Sequence, residues 1–299
     1  MSIILQQLLV FYAFLVLGWG FGKWKKNAAA SAGLLSLLLV NLFLPSKILE
    51  TFSTHFTTAY IRENSLFLLV SISLLLIFSA IALVVARLLT KHGYERRVYC
   101  YSLTVSNYAY MGYALTANVF GGAALADLIL FCIPFAIYTY TVGFFLLSGK
   151  RVTLKSFCHP MILSTAIGIL LGLTGLQLPA LIKNILSMSS ACVGPISMLL
   201  TGLVLSGFSL RELVLDRVAY VVVALRLLIL PLFVFGVCRL LGLVTVLPSA
   251  VLMACMPCGL NTVVFPKLVG EDCRPGARLA FISHILSVIT LPIWLYILQ

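Results

Sequence analysis

The sequence predicts an all-α integral membrane protein with ten transmembrane helices, set out as two inverted halves of five. Three observations carry that prediction. Of 299 residues, 62% are hydrophobic and only 9% charged, with mean hydropathy +1.14, whereas a soluble domain carries about 25% charged residues. So little charge cannot build a water-facing surface. Apolar segments of the roughly 17–25 residues needed to cross a bilayer recur ten times, and their short connections leave no room for a soluble domain. Finally, Lys and Arg alternate in density from one connection to the next, as the positive-inside rule requires of a multi-pass chain.

The elements follow in order. Span 1, Ile3–Phe21, opens with "MSIILQQLLVFYAFLVLGWGFG". It lacks a basic n-region and its apolar run is long enough to span, so it reads as a retained helix, not a cleavable signal. Span 2, Ala29–Ser46, carries "NLFLP" (Asn41–Pro45), and span 3 is Leu66–Ala86. Span 4, Val98–Phe120, holds the polar run "SNYAYMGYAL" (Ser106–Leu115). Span 5, Ala124–Leu147, begins near Asp127, where a carboxylate complements the positive end of the helix dipole; it reads as a cap, with an ion ligand as the alternative. The connection "SGKRVTLKSFCHP" (Ser148–Pro160) divides the chain. Beyond it come span 6, Met161–Gln177; span 7, Ile185–Leu205, with "CVGP" (Cys192–Pro195); span 8, Val218–Cys238, with Arg226; span 9, Leu247–Pro266; and span 10, Leu279–Leu298, with His284 in "SHILS".

The odd loops hold Lys23, Lys25, Lys26, Arg87, Lys91, Arg96, Arg97, Lys150, Arg151, Lys155, Arg211, Arg217, Lys267, Arg274 and Arg278. The even loops hold only Lys47, Arg62, Lys183 and Arg239, and Arg226 is read as the one basic residue inside a span. This bias puts the odd loops in the cytoplasm and both termini outside, in the cytoplasmic membrane. It also accounts for the formal charge of +12 without a nucleic-acid partner, for which no motif is present. The eight cysteines lie mostly in apolar segments and read as packing residues, not a disulfide framework. Cys255 and Cys258 form a C-x-x-C that no second pair completes, so neither metal nor cofactor is expected.

Five spans per half force the two halves to insert with opposite orientation, the arithmetic of an inverted repeat such as many secondary transporters use. Each second helix carries a proline. Each fourth helix carries the polar or helix-breaking residues. In "MPCGLNTVVFP" (Met256–Pro266), Pro257 lacks an N–H and clashes with the preceding turn. Gly259 permits unusual backbone angles, and Pro266 is a second interruption. Hydrocarbon offers freed backbone groups no partner, so such a break survives only where protein or water encloses it. Paired interruptions in two halves point to a site near the bilayer midplane.

These residues resemble the auxin efflux carrier family. "SNYAYMGYAL" is similar to its helix-4 signature of Asn, four residues, Gly, one residue and Pro. "MPCGLNTVVFPKLVGED" followed by "SHILSVITLPIWLYIL" is similar to its last two helices, and "NLFLP", "GLVLSGFSL" and "ALRLLILPLFVF" also fit. The resemblance covers nearly the whole chain and implies broken, crossing helices 4 and 9. It implies a scaffold of residues 1–62 and 150–210 around a moving core of residues 63–149 and 211–299, and a homodimer through the scaffold. It further implies an elevator-type carrier of small organic anions such as malate or malonate, its short central loop matching the compact bacterial branch. One departure stands out: the family's helix-4 proline falls on Ala114, so the first break would rest on Gly112 and polar side chains.

The candidate substrate-binding residues are Asn107, Gly112, Pro257, Cys258, Gly259 and Asn261. The two amides supply donors and acceptors, or alternatively serve as helix caps or interhelical glue. Leu260 adds backbone, and Tyr108, Tyr110 and Tyr113 form an aromatic wall or plain packing. Arg226 and His284 are candidates for an electrostatic or coupling role; Arg226 alternatively holds carbonyls at a helix break or snorkels, and His284 is alternatively a neutral core histidine. A coupling proton or sodium stays open, with no carboxylate deep in any span. A channel would show a filter pattern or charged ring. An enzyme would need a cluster of catalytic side chains at one membrane face, where only His92 and His159 lie.

Overall fold

The computed structural model describes residues 3–25, 32–150, 158–267 and 269–298. Helix makes up 85% of it, and among the described residues the one β-type pairing is an isolated bridge. The all-α class therefore holds. Lys26, Arg151, Lys155, Met1 and Gln299, on which part of the orientation argument rests, lie outside the described residues.

Among the described residues, seven helices are long and apolar enough to cross a membrane. With the shorter ones they define α1 (Ile3–Trp24), α2 (Ala32–His55) and α3 (Ser65–Leu89); α4 (Gly93–Thr104); α5 (Tyr108–Ser148), α6 (Pro160–Thr174), α7 (Ala180–Ser206) and α8 (Arg217–Leu240); α9 (Leu247–Cys255); α10 (Asn261–Lys267); and α11 (Arg274–Ile297). Spans 4 and 5 run together in α5, parted at Gly121, whose φ of 86° is open to glycine and breaks the helical path. Span 4 starts five residues earlier than expected, and span 9 is divided into α9 and α10.

The two most extensive helix pairings are α1 with the second half of α7, and the second half of α2 with α6. Lipid gives no hydrophobic drive between helices, so close backbone approach must hold them. A Cβ on Gly18 would lie 2.2 Å from Leu199 O, and one on Gly202 would lie 1.9 Å from Leu15 O. In the other pair, a Cβ on Gly172 would lie 2.0 Å from Phe56 O.

The second span corrects two expectations. It runs to His55, not Ser46, because "KILETFSTH" continues an amphipathic helix whose Ile48, Thr51 and Phe52 are buried. Lys47 is consequently not a loop residue. It lies buried within α2, its Nζ 3.4 Å from Ser190 Oγ of α7, so Arg226 is not the only basic residue inside a span. Asp127 also departs from its expected role. It sits past the first turn after Gly121 and caps nothing; its carboxylate accepts from Tyr60 Oη at 2.5 Å.

Candidate functional site

Two helix breaks face each other at the centre of the fold. After α4, Val105 is extended (φ −116°, ψ 129°) and Asn107 leads into α5. After α9, Met256 is extended (φ −66°, ψ 148°). Ser106 and Cys258 pair as an antiparallel bridge between the breaks.

The backbone hydrogen bonds explain how both breaks survive in an apolar interior. An unbroken helix joins each N–H to the carbonyl four residues back, so Asn107 would serve Leu103 and residue 257 would serve Met253. Pro257 has no N–H. Asn107 N–H turns away from its own helix and donates to Pro257 O at 2.8 Å. Two carbonyls, Leu103 and Met253, are thereby orphaned, and a buried orphan costs about 1–3 kcal/mol. Arg226 takes both: Nη1 donates to Leu103 O at 3.0 Å and Nη2 to Met253 O at 3.2 Å. Ser106 Oγ also donates to Met253 O, at 2.6 Å. Cys258 N–H is satisfied by Ser283 Oγ of α11 at 3.0 Å.

Arg226 thus sits where the negative ends of two half-helices converge, the favourable place for a cation. It is fully buried, within a π-helical turn (Leu225–Ile229) of α8. Among the described residues the ion pairs join Arg274 to Asp272 and Arg278 to Asp216, so no carboxylate pairs with Arg226. The contacts are those of the carbonyl-holding expectation for this residue, and among the described residues no acid compensates the guanidinium.

On the other side of the breaks is a cavity of about 10 Å³, room for one water. Ser106, Asn107, Tyr110, Tyr140, Gly259 and Asn261 are among its walls. Asn107 Nδ2 lies 3.2 Å from His284 Nε2. The amide of Asn261 is held at both ends: Nδ2 donates to Tyr101 Oη at 3.1 Å, and Oδ1 accepts from Tyr110 Oη at 3.3 Å. Tyr110 and Tyr140 also border a wider cavity of about 290 Å³ that includes Asn41, His159 and Phe265. That space shares Ser36, Leu37 and Val264 with one of about 220 Å³ reaching Lys267. His159 stacks on Tyr140 at 3.8 Å between ring centroids, and burial holds its imidazole down, to about 4. Lys267 is the lysine among these wall residues. The four π-helical turns among the described residues each supply a wall or anchor: Leu39–Phe43, Tyr108–Gly112, Thr139–Gly143 and Leu225–Ile229. Such turns often mark functional positions.

The expected site residues therefore separate. Asn107, Gly259, Leu260 and Asn261 share the small cavity with Tyr108 and Tyr110. Pro257 and Cys258 lie behind it, occupied with the backbone of the first break. Gly112 is five residues past Asn107 and packs on Met256; the first break lies at Val105–Asn107, so Gly112 does not make it. Gly259 does not adopt a positive φ, so the break does not need its conformational freedom. Tyr113 borders a separate apolar cavity with Ile48 and Met161. Sequence reasoning missed Tyr101, Thr139, Tyr140, Ser283 and Lys47. Only Ser283 had a signal, its place beside His284.

A family model described as membrane transport protein matches residues 3–151 and 144–295. An uncharacterized transporter of Methanothermobacter thermautotrophicus is 29% identical over 198 residues, covering 64% of this chain. The match spans 65% of that relative's length, just under two thirds. With seven helices of membrane-crossing length among the described residues and the family model matching along nearly all of it, the chain is a multi-pass membrane protein and belongs to the auxin efflux carrier family of membrane transport proteins.

Proposed function

We propose that the protein is a secondary transporter that carries small organic anions, carboxylates among them, out of the cell by an elevator-type alternating-access motion. The observation that carries this reading is the acid-free burial of Arg226. It satisfies the negative ends of α4 and α9 and leaves a net positive charge one hydrogen-bonded layer behind a cavity lined by two amides, since Met253 O accepts from both Arg226 and the wall residue Ser106. A small anion is the natural counter-charge. The first turn of α5, at the cavity wall, adds the positive end of a long helix.

Ten spans in two inverted halves fit the described helices: α4 with the part of α5 before Gly121 counts as one broken span, the rest of α5 as the next, and α9 with α10 as another broken span. A constant offset supports the repeat. Gly18, Gly22, Pro45, Leu103 and Asn107 recur 150 positions later as Gly168, Gly172, Pro195, Met253 and Pro257. The first two mark close helix contacts in both halves, and the last two pairs are the backbone partners at the two breaks. The pairing of α1 with α7 is likewise matched by that of α6 with α2, which supports a scaffold built from these four. The cavities that reach His159, at the end of a basic connection, and Lys267, at the end of α10, fit a path open towards the cytoplasm.

A monoanion leaving a cell that is negative inside gains about 2.3 kcal/mol per 100 mV, roughly a fifty-fold ratio. Electrogenic uniport follows, with no coupling ion. The test is flux of radiolabelled malate, malonate and indole-3-acetate from proteoliposomes under a valinomycin-set potassium potential, with proton and sodium gradients clamped to zero. Saturable, voltage-driven flux of one of them is expected. Flux that never saturates makes the protein a channel, and flux that needs a proton or sodium gradient removes the uniport.

A further inference from the structure

His284 is buried in the middle of α11 and, among the described residues, reaches the candidate site by its hydrogen bond with the amide of Asn107. Its other ring nitrogen, Nδ1, lies 2.7 Å from Ala280 O, one helical turn back. A carbonyl oxygen can only accept, so Nδ1 carries the proton. In the neutral ring Nε2 then holds a lone pair, and at 3.2 Å it accepts from Asn107 Nδ2. The tautomer is thus set by the backbone of α11, and the tautomer in turn sets which way the Asn107 amide is turned. The histidine is itself fixed: Ser287 Oγ donates to His284 O at 2.8 Å, and Tyr12 Oη of α1 lies 2.7 Å from the same Ser287 Oγ. Asn107 needs such a support. Its residue is the hinge between the first break and α5, its N–H is committed to Pro257 O, and its side chain caps no helix.

We propose that His284 is a positioning residue: as the Nδ1–H tautomer it holds the Asn107 amide in a single orientation at the wall of the cavity between the two helix breaks. It contributes an acceptor, not a travelling proton. The same role is open to any side chain that places an acceptor where Nε2 lies. Glutamine reaches that place, whereas asparagine reaches only the Nδ1 position and leucine offers no acceptor.

Two arms test this on the full chain. The first reads the ring directly, by nitrogen-15 spectra of histidine-labelled protein in lipid nanodiscs, with the His284 signals assigned by their loss in His284→Gln. A pyrrole-type Nδ1 and a pyridine-type Nε2 are expected, and Asn107→Ala should shift the Nε2 signal while leaving Nδ1 in place. An Nε2–H ring, or an Nε2 signal that ignores Asn107→Ala, overturns the proposal. The second arm measures voltage-driven flux of radiolabelled malonate and indole-3-acetate, and it rests on the reading of this site as an anion path. His284→Gln should stay within about two-fold of the parent, while His284→Asn and His284→Leu fall about ten-fold, the scale of one lost buried hydrogen bond. If His284→Gln is monodisperse yet falls as far as His284→Leu, the ring's proton matters and positioning is refuted. Should a variant fail to fold, or the parent move neither probe, the ring arm decides by itself; in the latter case it is the transport reading that has failed.

Discussion

The two helix breaks do the same structural work with different chemistry. The second, after α9, is made by covalent means: Pro257 has no N–H, so Met253 O must find another donor whatever surrounds it. The first, after α4, contains no proline. Asn107 has an N–H able to continue the helix, yet donates it to Pro257 O across the crossing. One break is imposed by its own sequence, and the other exists because its neighbour offers a better-placed carbonyl. Arg226 is common to both, since it holds the carbonyl that each break leaves behind.

That shared dependence sets the largest expected effect. Arg226→Met should strand Leu103 O altogether and weaken Met253 O, at a cost on the order of 2–5 kcal/mol, read as lost resistance to SDS titration of the reconstituted protein. Transport should vanish with it. Arg226→Lys should recover part of the stability, because one ammonium cannot fork to two carbonyls as a guanidinium does. A Met variant as stable as the parent would show that the two breaks are not coupled through this residue.

The amides come next. Asn261→Ala should abolish or strongly impair transport with expression near normal, because Tyr101 and Tyr110 lose their common partner while no backbone bond is cut. The expected stability loss is about 1 kcal/mol. Transport equal to the parent would make Asn261 structural glue and move the path elsewhere.

A smaller effect compares the breaks directly. Pro257→Ala restores an N–H, but the carbonyl it would reach, Met253 O, already accepts from Ser106 Oγ and Arg226. The second helix should therefore stay broken, with a change of about 1 kcal/mol or less. Ser106→Ala should cost about 1 kcal/mol by removing one of those donors, and Ser106→Ala with Pro257→Ala should be better tolerated than the sum, since the new N–H can then replace the lost hydroxyl. Strict additivity of the pair would count against this hydrogen-bond account. The smallest effect is expected at Gly259→Ala. The added Cβ meets Ser106 O at an ordinary 3.4 Å and no positive φ is involved, so stability should hold within about 0.5 kcal/mol.

The sequence by itself determined the membrane class, the positions of most spans and the second break. Each is a local property: apolar run length against bilayer thickness, charge in the connections, and a proline without a donor. Local pattern also located Asn107 and Asn261, as amides in spans otherwise apolar. It misplaced the end of the second span because the continuation that buries Lys47 mixes polar and apolar residues, and run length cannot see a helix of that kind. Only the tertiary structure decided where the first break falls, what Arg226 does, and which partners hold the two amides. Those outcomes depend on groups far apart in the chain: Arg226 with Leu103, Asn261 with Tyr101, Asn107 with His284. In a dry interior each backbone group goes to whichever partner lies within reach, and for residues a hundred or more positions apart that reach is set by how the helices pack.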